Sequence, residues 1–130
     1  IATPVAVARD CAALVLEAPF TSIVDVAEKR FPFFPVRGFL QERFESINVI
    51  DRVKAPLLIV HGVKDTVIPV EFGRAMYDAA NSPKEMIEFA EAGHTGIFQM
   101  GAFTKISEFL QRHIPIPGSA ITPFKKSAAE

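Results

Sequence analysis

The sequence predicts an α/β protein in which parallel strands alternate with helices. Three observations predict it. Short apolar runs at Ala12–Glu17, Pro56–Val60 and Glu85–Phe89 have strand length and end in turn residues. The segments between them carry apolar residues at helical spacing, and the order is strand, helices, strand, helix, strand, helix. Connections of that length suit parallel neighbours, which need long crossovers and make them with helices.

Ala12-Ala-Leu-Val-Leu-Glu17 is rich in Leu and Val and stops at Ala18-Pro19-Phe20, so it reads as a buried strand. Thr21 and Ser22 then offer hydroxyls to cap a helix over Ile23–Arg30, which ends before Pro32. Phe31-Pro-Phe-Phe-Pro35 can be neither regular helix nor central strand, because each proline lacks a donor, and a second helical stretch is expected from about Val36 to Phe44. Pro56-Leu-Leu-Ile-Val60 is apolar on both faces, as a strand covered by helices on either side would be, and His61-Gly62 closes it. Val70–Ala80 places Phe72, Ala75, Met76 and Ala79 at helical offsets, and Asn81-Ser-Pro83 stops it. Glu85-Met-Ile-Glu-Phe89 alternates as a strand does. The last helix runs from about Gly101 to Arg112, with Phe103, Ile106, Phe109 and Leu110 as its apolar stripe. From Pro115 to Glu130 there is no periodicity, and a flexible tail is expected over 115–130. Three strands are few for such a sheet. A first strand apolar on both faces would be left as an edge, so the rest of the sheet is expected upstream and self-association through the exposed edge is expected without it.

Composition narrows the function classes. The 130 residues suit one domain, and 49% hydrophobic against 22% charged residues is ordinary for a folded soluble chain. Lys and Arg number 14 against 15 Asp and Glu, a net charge of -1 without the basic excess of a nucleic-acid binder. No apolar run approaches the roughly 18 residues of a membrane span. A single cysteine, Cys11, excludes an intrachain disulfide and fits a reducing, cytoplasmic compartment. No basic stretch followed by an apolar segment opens the chain, and its first residue is Ile1 rather than Met, so a piece of a longer protein is expected.

In α/β sheets ligands sit beyond the carboxyl ends of the strands, which singles out Glu17, Asp65 and His94. Gly62 permits the turn that leads to Asp65, and Pro69 pre-sets the first turn of the following helix. A histidine such as His94, between Gly93 and Gly96, works as a general base when a carboxylate fixes its tautomer. Asp65 is the better placed acid, because Ala18-Pro19 turns the chain away after Glu17, which is kept as the alternative.

Three motifs resemble the α/β-hydrolases, in particular serine hydrolases similar to serine aminopeptidases and acylglycerol lipases. They are Leu14-Val-Leu-Glu-Ala-Pro-Phe-Thr-Ser22, Ala55-Pro-Leu-Leu-Ile-Val-His-Gly-Val-Lys-Asp-Thr-Val-Ile-Pro69 and Glu91-Ala-Gly-His94. The resemblance covers about Ile1 to Arg112 and implies the C-terminal portion of an α/β-hydrolase fold over 1–114, with a helical cap-like insertion at about 21–50. It implies Asp65 as the triad acid, His94 as the base, no cofactor, and a small-molecule ester, thioester or amide as substrate. Ile1–Ala8 would be the rest of the helix that follows the nucleophile elbow. The elbow itself, G-x-S-x-G, is absent from the chain, so the serine and oxyanion hole would lie before Ile1.

Other residues have plainer readings. Ser22 reads as a helix cap rather than a nucleophile, His61 as bonded to backbone at its strand end, and His113 as a cation at a helix C-terminus. Cys11 reads as a small buried hydrophobe. Phe31, Phe33, Phe34, Phe39 and Phe44 have two readings, an acyl pocket or plain core. Three histidines without a close carboxylate cluster give no metal spacing. A second reading of the whole chain also stands, a truncated or pseudo-hydrolase acting as a non-catalytic interaction domain.

Overall fold

A computed structural model describes residues 2–39 and 45–114 of the chain. Three strands, β1 (Leu14–Glu17), β2 (Leu57–Gly62) and β3 (Lys84–Phe89), form a parallel sheet in that order, paired from Leu14↔Leu57 and from Leu57↔Lys84. The helices are α1 (Ala2–Ala8), α2 (Ile23–Arg30), α3 (Val36–Phe39), α4 (Val70–Ala79) and α5 (Ala102–His113), with short 3-10 turns at Ser46–Asn48 and Ile50–Arg52. The expected tail at 115–130 lies outside the described residues, as does the expected helix beyond Phe39.

Alternation along β2 builds two cores. Leu57 and Ile59 face one layer with Leu14, Leu16, Ile50, Val53 and Met76, while Leu58 and Val60 face the other with Ala92, Ile97, Ala102 and Phe109. Helix α4 therefore covers one face and α5 the other, which is why β2 is apolar throughout. Its four aliphatic side chains are at most 1% exposed, and burying each contributes about 1.5–3 kcal/mol.

The elements follow the sequence expectations with shifted limits. Strand β1 begins at Leu14 rather than Ala12, since its partner ladder starts at Leu57 and Pro56 has no N–H to continue it. Strand β2 runs on through His61 and Gly62 because β3 pairs with both. In α4 the buried line is Val70, Gly73 and Met76, and Ala79 is exposed. In α5, Ala102 takes the first core contact, and Phe103, expected in the stripe, is 71% exposed.

Two further readings are corrected. Cys11 is exposed, because it precedes β1 in a segment that no strand covers. The core reading of the Phe-rich stretch fails at Phe31, Phe33 and Phe34, which are 58%, 101% and 55% exposed. Pro32 and Pro35 interrupt the helix there, and the turn between them leaves the rings outside the core. The side chain of Phe39, and Phe44 entirely, lie outside the described residues. Among the described residues β1 pairs with β2 alone, so its outer edge is open, and no helix is long and apolar enough to cross a membrane.

Candidate active site

The loops after β2 and β3 are tied together by backbone bonds. The Val63 amide donates to Phe89 O at 3.0 Å and the Lys64 amide to Ala92 O at 2.9 Å. Gly62 makes that approach possible: a Cβ there would sit 2.4 Å from Gly93 O and 2.5 Å from Ala92 O, inside any real contact. The sequence suggested a turn at Gly62, whereas the structure requires it for close backbone contact with the histidine loop. Outside the core of this junction, Lys64 and Glu91 form an exposed ion pair between the same two loops.

Asp65 enters the junction with its side chain fully buried. Its Oδ1 accepts the amides of Val67 and Ile68, each at 2.8 Å, so the loop closes on the carboxylate as an Asx turn. Its Oδ2 lies 2.8 Å from His94 Nδ1. Burial pushes the Asp65 carboxyl up, but the Ile68 amide, the His94 ring and the Val67 amide together outweigh it and hold the group below the ordinary aspartate value. The carboxylate can only accept, so His94 donates through Nδ1 and presents Nε2 as the basic nitrogen. The His94 side chain is 39% exposed, which leaves one edge of the ring accessible to a reacting group.

His61 supports the acid loop from beneath. Its ring is fully buried, and Nε2 donates to Ile68 O at 2.8 Å while lying 3.7 Å from Asp65 Oδ2. Ile68 thus gives its amide to Asp65 and takes a proton bond from His61, which orients the peptide. The other ring nitrogen, Nδ1, is buried without a hydrogen-bond partner and packs on Gly73 of α4, where an added Cβ would come within 2.4 Å. The sequence reading placed His61 on backbone correctly but had no signal for the Gly73 contact, since the two are 12 positions apart on different elements.

The remaining candidates are elsewhere. Glu17 is exposed at the end of β1, and the His94 nitrogen it would have oriented is held by Asp65. After it the chain turns through Ala18 at φ 41°, a strained conformation for a residue with a Cβ. Ser22 is 5% exposed and its Oγ accepts the Asp25 amide at 3.0 Å, capping α2. The His113 ring packs at a tilt against Phe109, with centroids 4.7 Å apart, and faces Glu85 at 3.4 Å, so it has a carboxylate partner as well as the helix end. Among the described residues no group of three His, Cys, Asp or Glu could hold a metal ion.

No protein-family model matches the chain. It is 36% identical over 94 residues to an uncharacterized protein of Mycobacterium tuberculosis, covering 72% of this chain and 34% of that one. It is 32% identical over 107 residues to alpha/beta hydrolase domain-containing protein 17C of Xenopus tropicalis, covering 82% of this chain and 33% of the relative. The chain belongs to the α/β-hydrolase superfamily. It spans about a third of the length of these curated relatives. Solved α/β-hydrolase structures share the fold: acetyl xylan esterase from Paenibacillus sp. R4, with a TM-score of 0.62 at 21% identity over 82% of this chain and 40% of that one, and Pyrococcus horikoshii acylaminoacyl peptidase, with 0.64 at 16% over 89% and 22%. Within that fold the chain contributes three parallel strands and the loops that follow them.

Proposed function

We propose that the chain supplies the acid and the base of a serine hydrolase acting on an ester, thioester or amide, with the serine coming from a segment outside these 130 residues. The observation that carries the reading is the Asp65–His94 pair, 2.8 Å apart with the far carboxylate oxygen locked by two amides. Names borne by similar proteins, esterase and peptidase, support the reaction class. In this reading the serine Oγ attacks the carbonyl carbon and its proton passes to His94 Nε2, forming the tetrahedral intermediate. The imidazolium is stabilised by Asp65 through the Nδ1 hydrogen bond. It then returns the proton to the leaving oxygen, sulfur or nitrogen as that bond breaks, and water repeats the cycle on the acyl-enzyme. Asp65 is held charged by its amides, so it orients the ring without taking a proton.

The test is fluorophosphonate labelling and ester turnover by the full-length protein. His94→Ala should abolish both, Asp65→Asn should lower kcat by roughly 10⁴-fold, and the 130-residue chain alone should show no turnover. Full-length labelling that survives His94→Ala, or ester hydrolysis by the short chain that Ser22→Ala abolishes, would overturn the assignment.

A second reading, a non-catalytic interaction domain, is favoured by the outer edge of β1, which pairs with no further strand among the described residues. Its unpaired backbone groups would accept another strand. Under either reading the 130-residue chain should sediment as an oligomer. A chain extended upstream through further strands should sediment as a monomer if those strands belong to the same sheet, and stay oligomeric if the edge is itself the interface.

A further inference from the structure

We propose that the turn at 31–35, with Lys29 and Arg30 at the end of α2, is a docking surface for an anionic lipid bilayer. Three rings lie within four residues, Phe31 at 58%, Phe33 at 101% and Phe34 at 55% exposure, so the turn presents a continuous aromatic tip to solvent. The tip is held in shape. The Phe31 amide closes α2 on Ala27 O at 2.8 Å, the Phe34 amide bonds Phe31 O at 3.1 Å, and Pro32 and Pro35 fix their own φ angles. A preformed tip loses little conformational freedom when it inserts.

The charges beside it are sorted. Arg37 takes Glu28 in a two-point pair at 2.7 and 3.1 Å and lies 3.6 Å from Asp25, whose other oxygen accepts the Thr21 hydroxyl at 2.5 Å. The acids of α2 are thereby occupied. Lys29 and Arg30 are exposed in its last turn and have no carboxylate partner among the described residues. Aromatic rings that enter the headgroup region, flanked by cations that stay at the surface, are the chemistry an anionic bilayer recognises. Charge decides against a second copy as the occupant, since two such tips would bring four unpaired cations together.

The placement gives the surface a use. A groove of about 240 Å³ runs between α2 and the acid loop, lined by Val26, Lys29, Arg30, Thr66, Val67 and Pro69. Thr66 and Val67 directly follow Asp65, so a bilayer met by the aromatic tip borders the same end of the sheet as Asp65 and His94. The inference concerns binding and does not depend on the proposed hydrolysis.

The experiment is flotation of the full-length protein with vesicles of phosphatidylcholine, with and without phosphatidylserine, because bound protein floats while aggregates sink. Phosphatidylserine vesicles should carry the protein upward and phosphatidylcholine vesicles far less, with binding weakened by raised salt. The F33S/F34S double variant should bind about tenfold more weakly, and K29Q and R30Q should each lose roughly fivefold on phosphatidylserine vesicles alone. Both pairs are on the surface, and far-UV circular dichroism checks that they keep the fold. Wild-type protein that fails to float, or floats equally well as F33S/F34S, would overturn the proposal. So would a dimer that F33S/F34S dissolves while vesicles leave it in solution, which would assign the tip to a second copy.

Discussion

The loops that follow β2 and β3 and the segment that follows β1 leave the same end of one sheet and are built on opposite plans. Beyond β2 and β3, Asp65 is fully buried, Gly62 lets two backbones touch, and both carboxylate oxygens accept from defined donors. Beyond β1, the chain shows three phenylalanines to water and is steadied by a helix cap and an exposed Arg37–Glu28 pair, which contributes little in solvent. The difference teaches which part of the site is preorganised. The carboxylate and imidazole are joined by a hydrogen bond on a buried oxygen, as groups suited to act on a reacting atom would be, whereas the turn at 31–35 is held through its backbone and leaves much of its ring surface in water.

The largest effect expected from disturbing this contrast is at Gly62. Gly62→Ala puts a methyl group into the carbonyls of Ala92 and Gly93, and backbone must move, so a loss of about 2–4 kcal/mol is expected in urea unfolding. The Asp65–His94 hydrogen bond should go with it, visible as loss of the downfield imidazole proton in NMR. An unchanged unfolding midpoint would show that the junction is softer than its contacts imply.

An intermediate effect follows from the carboxyl of Asp65, held below its ordinary value against the opposing pull of burial. A depressed carboxyl stabilises the fold in full above the unfolded value of about 3.9, and that contribution is lost as pH falls through the lower folded value. Stability measured by urea should therefore decline on the acid side of pH 4. Asp65→Asn should flatten this decline while lowering stability at neutral pH, because Oδ1 can still accept two amides but the charged bond to His94 is gone. A variant with the same acid limb as the wild type would assign the decline to other carboxylates, such as Glu85 beside Arg112 or Glu88 beside Arg74.

The smallest effect is expected at the aromatic tip. Phe33→Ser removes a ring that touches solvent on all sides, so unfolding should change by no more than about 0.5 kcal/mol. A loss of several times that would mean that the ring packs on something in solution, and would erase the contrast between the two regions.

Much of this protein was legible in the sequence because the signals are local. The apolar run at Leu57–Val60 required cover on both faces and has it, Ser22 was in position to cap α2 and does, and the order of Asp65 and His94 after successive strands put both at one end of the sheet. Each of these depends on a residue's place within or just after its own strand or helix. Tertiary structure alone decided that Gly62 is needed for contact with the histidine loop, that Gly73 makes room for His61, that Cys11 is exposed, and that the phenylalanines of 31–34 face water instead of the core. These depend on the register between β2 and β3 and on which segments the sheet leaves uncovered. Hydrophobicity and spacing along the chain state what a residue would gain by burial, and only the packed arrangement settles whether a neighbour is there to bury it.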